Sequence, residues 1–221
     1  FKQLADIGTG AIKQRALRKA MDAAFFQGDG PQFIELVKLA QEIPTIDRLE
    51  NARIRINKAR VNQMFQNKIA QALEEQEEAL QIFEQEYSLW DTAWASIGVG
   101  GSLSLLHKLE QGLAAHLRSI EMFKELGDLR WQGRGNIRTG VILAAYQIYD
   151  HAFAAFNNAA NIFEKIADFG MLSETCASWS VALEAEGKLE DAILKGKESL
   201  EWSKKTDSKW AMSIAYAALT R

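Results

Sequence analysis

The residues able to do covalent or acid–base chemistry are few and scattered. The three histidines, His107, His116 and His151, fall on different helices or at helix ends of the pattern below, and no His-Glu-x-x-His or paired metal-ligand spacing occurs. The single cysteine, Cys176, has no partner, which excludes an internal disulfide framework and a cysteine-rich zinc site. Cys176 and His116 read as packing residues, and Glu77 and Glu78 as part of a solvated acidic face. This arrangement points to a protein that is not an enzyme, with no metal and no cofactor.

What the sequence offers instead is segregated charge. Basic residues cluster as Lys13, Arg15, Arg18 and Lys19, as Arg53, Arg55, Lys58 and Arg60, and as Arg130, Arg134 and Arg138. Glu74, Glu75, Glu77, Glu78, Glu84 and Glu86 form an acidic stretch. The sums nearly cancel, 26 Lys+Arg against 29 Asp+Glu, so no net basicity argues for nucleic acid. A local basic surface would still attract an acidic peptide or another anion, and arginine can grip carboxylates with two hydrogen bonds. Gly98, Gly100 and Gly101 interrupt a helical stretch, each costing about 1 kcal/mol against alanine. They serve either close helix packing or access for a ligand. No preceding strand and no Gly-Lys-Ser/Thr supports a phosphate loop.

The elements that must position these residues are helices. Of 221 residues 48% are hydrophobic, enough for a core, and only Pro31 and Pro44 are prolines. Apolar residues recur at three- and four-residue steps, as in Leu113, Leu117, Ile120 and Phe123. The segments starting at Ala72, Gly112, Ala152 and Ala192 align with one another at a 40-residue period. The row Ala79, Ser119, Ala159 and Ser199 keeps the same step. So does Phe83, Phe123 and Phe163, which slips by one residue to Trp202. Small residues let helix backbones approach, and the aromatics fill the gap between repeats. First helices are expected over 10–27, 49–66, 91–108, 131–147 and 171–186, and second helices over 32–43, 69–86, 111–126, 149–166 and 188–204. Asn67-Lys68, Leu109-Glu110 and Gly187-Lys188 are the expected connectors. Asp47 and Ser88 are the expected N-caps. Trp90, Trp131, Trp202 and Trp210 fall on inter-repeat rows.

These rows resemble the tetratricopeptide repeat superfamily, most closely at Ala152, Phe156 and Ala159, with Gly100 and Gly140 where that family carries glycine and Gly187 at its turn. The period of 40 departs from the family's usual 34. It is similar to adaptor scaffolds and to maltose-operon-activator-type sensor domains. The resemblance implies an all-α, right-handed superhelical solenoid of about five antiparallel helix pairs, with first helices lining a concave groove. The groove residues it implies are Asn57, Lys58, Val61, Met64 and Phe65, then Trp94, Ile97 and Gly101, then Arg134, Arg138 and Val141. Trp94 is expected to be exposed there, and Glu174 and Glu184 to make the far end acidic.

The expected organisation is one solenoid over 1–221. It comprises a degenerate pair over 1–44, four repeats over 45–206, and a terminal or truncated helix over 207–221, within a longer chain. The expected function is a protein-interaction scaffold in signalling or regulation, holding a protein or peptide segment, acidic segments included. The alternative is a small-molecule-sensing domain of a larger regulator. No nucleic acid, membrane or cofactor is expected. Self-association through the terminal helix is open, and the lone cysteine and missing signal peptide suit a cytoplasmic location.

Overall fold

The computed structural model describes residues 10–44, 46–206, and positions 212, 213 and 216. The regular secondary structure among them is helical: α1 (Gly10–Gln27), α2 (Gly30–Gln41), α3 (Arg48–Met64), α4 (Ile69–Gln85), α5 (Leu89–Leu105), α6 (Leu109–Glu125), α7 (Leu129–Ala145), α8 (Tyr149–Lys165), α9 (Phe169–Glu186) and α10 (Leu189–Ser203). The expected terminal helix over 207–221 lies outside the described residues, apart from the three isolated positions.

The period has a simple origin. Helices α4 to α8 each hold 17 residues, and three-residue connectors join them, so each half-repeat takes twenty positions. Each connector contains one residue in the left-handed region: Asn67, Tyr87, His107, Gly127, Gln147, Ala167 and Gly187, spaced by twenty. From Tyr87 onward, the next N–H bonds back across the turn, as Ser88 N donates to the Phe83 carbonyl and Asp168 N to that of Phe163, both at 2.9 Å. This closes the helix C-terminus in the manner of a Schellman cap. Only two of the seven residues are glycine, and side chains cost about 1–2 kcal/mol in this conformation. Ala167→Gly is therefore expected to raise stability by about 1 kcal/mol, and Gly187→Ala to lower it by a similar amount, in urea unfolding.

At the N-termini, Asp29, Asp47, Asp128 and Asp168 each accept from a backbone N–H three residues on, at 3.0 to 3.1 Å. Ser88 departs from expectation. Its hydroxyl makes no cap bond and instead donates to Asp91 Oδ2 at 2.7 Å. The first helices α5, α7 and α9 begin at Leu89, Leu129 and Phe169, two residues earlier than the periodicity suggests, and in α7 and α9 the side-chain caps of Asp128 and Asp168 fix that start. Leu109 and Glu110 are consequently part of α6, and the connector is 106–108.

The chain divides into two compact units, residues 1–112 and 113–221. In the first, α1 packs on α2, α3 on α4, and α4 on α5, while α3 also touches α1, α2 and α5. In the second, α7 packs on α8, α8 on α9, and α9 on both α10 and α7. The repeat rows are core in both: Ala72, Ala79, Phe83, Phe123, Ala152, Ala159 and Phe163 are fully buried. Glycine stands in the alanine row at Gly112 for a local reason. A Cβ there would lie 2.3 Å from Ser104 Oγ and 2.9 Å from the Gly100 carbonyl oxygen. Gly140 likewise yields to the Phe156 ring, 2.7 Å from where its Cβ would be.

Candidate functional site

In the first unit the basic clusters are largely consumed by the fold. Arg18 Nε donates to Glu50 Oε1 at 2.7 Å, and Arg15 NH2 reaches Asp47 Oδ2 at 2.9 Å. Arg53 binds Asp91 at 2.7 Å and Glu50 at 3.1 Å. Arg48 binds Glu86 at 2.7 Å. Arg55 pairs with Glu75 and Glu78, and Lys58 with Glu75. The expected segregation of basic from acidic charge is thus corrected in this unit: Glu75 and Glu78 on α4 pair with the cations of α3. The pairing was visible in the numbering. Arg48–Glu86, Arg53–Asp91 and Arg130–Asp168 are each separated by 38 positions, just under one repeat. These ladders fix consecutive first helices against one another.

The site residues expected in this unit separate into two sets. Asn57 is fully buried, donating from Nδ2 to the Arg53 carbonyl at 3.2 Å and accepting from Arg60 NH1 at 3.2 Å. Val61 is buried as well. Trp94 is not the exposed aromatic the sequence suggests. It is 9% exposed, stacked on Trp90 at 6.0 Å and covered by the Arg60 guanidinium at 4.5 Å. Trp90, expected on an inter-repeat row, is the more exposed ring. Met64 and Phe65 are exposed, with Phe65 leaning on Phe33 at 6.3 Å. Lys58 and Ile97 are half-buried.

The glycine-rich stretch serves two ends. Gly98 is set against Gln76, whose Nε2 would be 3.1 Å from an added Cβ. Gln76 is itself held by Ser102 Oγ, which donates to its Oε1 at 2.8 Å. Gly101 faces nearly open space, with Gln63 Nε2 at 3.8 Å the one neighbour its Cβ would meet. Close packing explains the first glycine and does not explain the second.

In the second unit Arg130 pairs with Asp168 at 2.9 Å. Arg134 lies over the Trp131 ring at 5.0 Å and points NH1 at Met171 Sδ at 3.6 Å. Its pKa is lowered by burial, an effect that Glu174 opposes. Arg138 and Val141 are exposed. His116, on α6, is buried with no hydrogen-bond partner on either ring nitrogen. Burial, with Arg138 adding to it, pushes its pKa down to about 4. Cys176 is buried beside Glu198, and desolvation raises its thiol to about 12, so it is no nucleophile at neutral pH. Among the described residues no cluster of three metal-ligating side chains occurs, and no helix is long and apolar enough to cross a membrane.

No protein-family model matches the chain, and no curated protein matches it closely enough to count as a relative. Solved structures do match. A Rap protein complexed with Competence and Sporulation Factor superimposes with a TM-score of 0.83 at 17% identity, over 99% of this chain and 65% of that one. Aspartyl phosphate phosphatase F from Bacillus subtilis gives 0.71 at 13% identity, over 94% and 56%. A signal transduction ATPase with numerous domains, carrying a tetratricopeptide repeat sensor, from Pyrococcus horikoshii gives 0.65 at 18% identity, over 99% and 34%. The chain spans less than two thirds of each of these proteins. At such identities the likeness establishes the fold. The chain is an all-α protein of tetratricopeptide-like helix-pair repeats.

Proposed function

We propose that this chain is a protein-interaction scaffold, acting in signalling or regulation, whose first helices receive a segment of a partner protein or peptide. One observation carries the reading. Large apolar side chains stand exposed towards the C-terminal ends of the first helices in both units: Phe65, at 45%, and Leu105, forty residues on, at 55%, in the first, and Val141, at 41%, in the second. Apolar surface repeated in this way favours contact with an extended or helical segment. A Rap protein of similar fold has been solved complexed with Competence and Sporulation Factor, which supports a binding role for a fold of this kind. In the first unit Met64, Phe65, Ile97 and Gly101 are the contact residues, with Lys58 at the edge, and in the second Arg134, Arg138 and Val141. Asn57, Val61 and Trp94 act from beneath by holding the first helices in place.

Selection of peptides from a random display library on the purified chain tests this. Leu105→Glu, Val141→Glu and Arg138→Glu, all at exposed positions, are each expected to weaken the selected peptides at least tenfold while leaving the helical circular dichroism unchanged. Affinities unchanged in all three variants would contradict the proposal. The open space at Gly101 favours a second reading, a small-molecule sensor domain. It requires a thermal shift with a metabolite that Gly101→Leu abolishes.

A further inference from the structure

The second unit suggests what a bound segment would carry, an inference that rests on the scaffold reading above. Its consecutive first helices α7 and α9 pack on one another. Arg138 on α7 is exposed and makes no hydrogen bond or ion pair among the described residues. On α9, Glu174 keeps a buried carboxylate oxygen, Oε2, with no hydrogen-bond partner. Arg134 interacts with Glu174 electrostatically without giving that oxygen a hydrogen bond. A buried carboxylate oxygen left unpaired is costly, and an incoming donor would relieve it. Helical spacing puts Val141 and Ala145 on the same face as Arg138, and Ser178, Val181 and Ala185 on the same face as Glu174. These side chains are small, and Val141, Ala145 and Ala185 are exposed. The face therefore has a cationic edge, an anionic edge and a low apolar floor.

We propose that this face takes an extended partner segment carrying one acidic and one basic side chain, the acid on Arg138 and the base on Glu174. The spacing follows from helix geometry. Packed helix axes lie about 8–10 Å apart. Arg138 sits one turn beyond the position matching Glu174, an offset of about 6 Å. The diagonal is about 10–12 Å, which an extended chain covers in roughly three to four residues.

The test uses the full chain and three labelled peptides with one Val/Ala background, read by fluorescence anisotropy. The two charged positions, four apart so that both side chains leave the same face of an extended chain, hold Glu and Lys, Glu and Glu, or Lys and Lys. The wild type is expected to bind the Glu/Lys peptide at least tenfold more tightly than the other two. Arg138→Glu should move the preference to Lys/Lys, and Glu174→Lys to Glu/Glu. Glu174→Gln, a milder change, should erase the preference for Lys without reversing it. Peptides that bind without charge preference, yet weaken with Val141→Glu, would overturn this assignment and leave the scaffold reading intact. A chain that takes neither these peptides nor any from a display library would overturn both.

Discussion

Replacing Glu50 by alanine is expected to lower the stability of the first unit by about 3 kcal/mol. The Glu50 side chain is fully buried, and its two oxygens are held by Arg18 at 2.7 Å and Arg53 at 3.1 Å, with Arg15 further off at 3.7 Å. These arginines come from α1 and α3, and Arg53 continues the ladder to Asp91 on α5. Removing the carboxylate leaves two partly buried guanidinium groups short of a counter-charge, and that loss, more than the attraction itself, sets the magnitude. The hydrogen bond from Arg53 to Asp91, set against desolvation, holds the Arg53 guanidinium even more firmly protonated than usual. Arg15→Ala is the control. Its side chain is largely exposed, so a loss below about 1 kcal/mol is expected. Urea unfolding of both variants measures the difference, and equal losses would refute the network as the staple of the first helices.

The second large effect is a pH dependence centred on His116. Its ordinary pKa is 6.5, and burial holds it near 4 in the folded chain. The unfolded chain therefore binds a proton in this range that the folded chain refuses. The resulting stability is complete above about pH 6.5 and falls away as the pH drops from there towards 4. The total is about 3 kcal/mol. His116→Gln, which installs the residue that occupies the matching position at Gln76, is expected to remove this slope. Denaturant unfolding of both proteins between pH 7.5 and 4 isolates the effect as the gap between the two curves. Parallel curves would show that the imidazole is paired or solvated in the folded state.

The architecture was legible because close packing leaves a periodic mark. Only small side chains fit where helix axes approach, and only rings fill the space between pairs, so Ala72, Ala79 and Phe83 recur at 40-residue steps. The twenty-residue half-repeat was harder to see. Its marker is a left-handed residue at each turn, and Asn67, Tyr87, His107, Gln147 and Ala167 do not advertise that conformation as glycine does. Ends of helices shifted by two residues for the same reason: Asp128 and Asp168 cap through their side chains, ahead of the apolar pattern.

The proposed binding face was legible only in outline. Periodicity places Arg134, Arg138 and Val141 on one face, and Met64 and Phe65 on another, but exposure depends on which neighbours use each side chain. Lys58 and Arg55 are drawn to Glu75, and Trp94 is roofed by Arg60, contacts made between residues far apart in sequence. Trp94 also illustrates how a ring placed by register alone can be sealed by one guanidinium. Arg138 meets no carboxylate on α9 at the 38-residue step of the ladder, where Cys176 stands.

The central claim is that recognition falls to the first helices within each unit. Amide chemical-shift mapping of the isotopically labelled chain, titrated with a library-selected peptide, tests it most directly. The account predicts perturbations concentrated in the first unit at Phe65, Gly101 and Leu105, or in the second on α7 at Arg138 and Val141, with α4 and α8 little changed. Perturbations concentrated on the second helices α4 and α8, with those five residues unmoved, would contradict it.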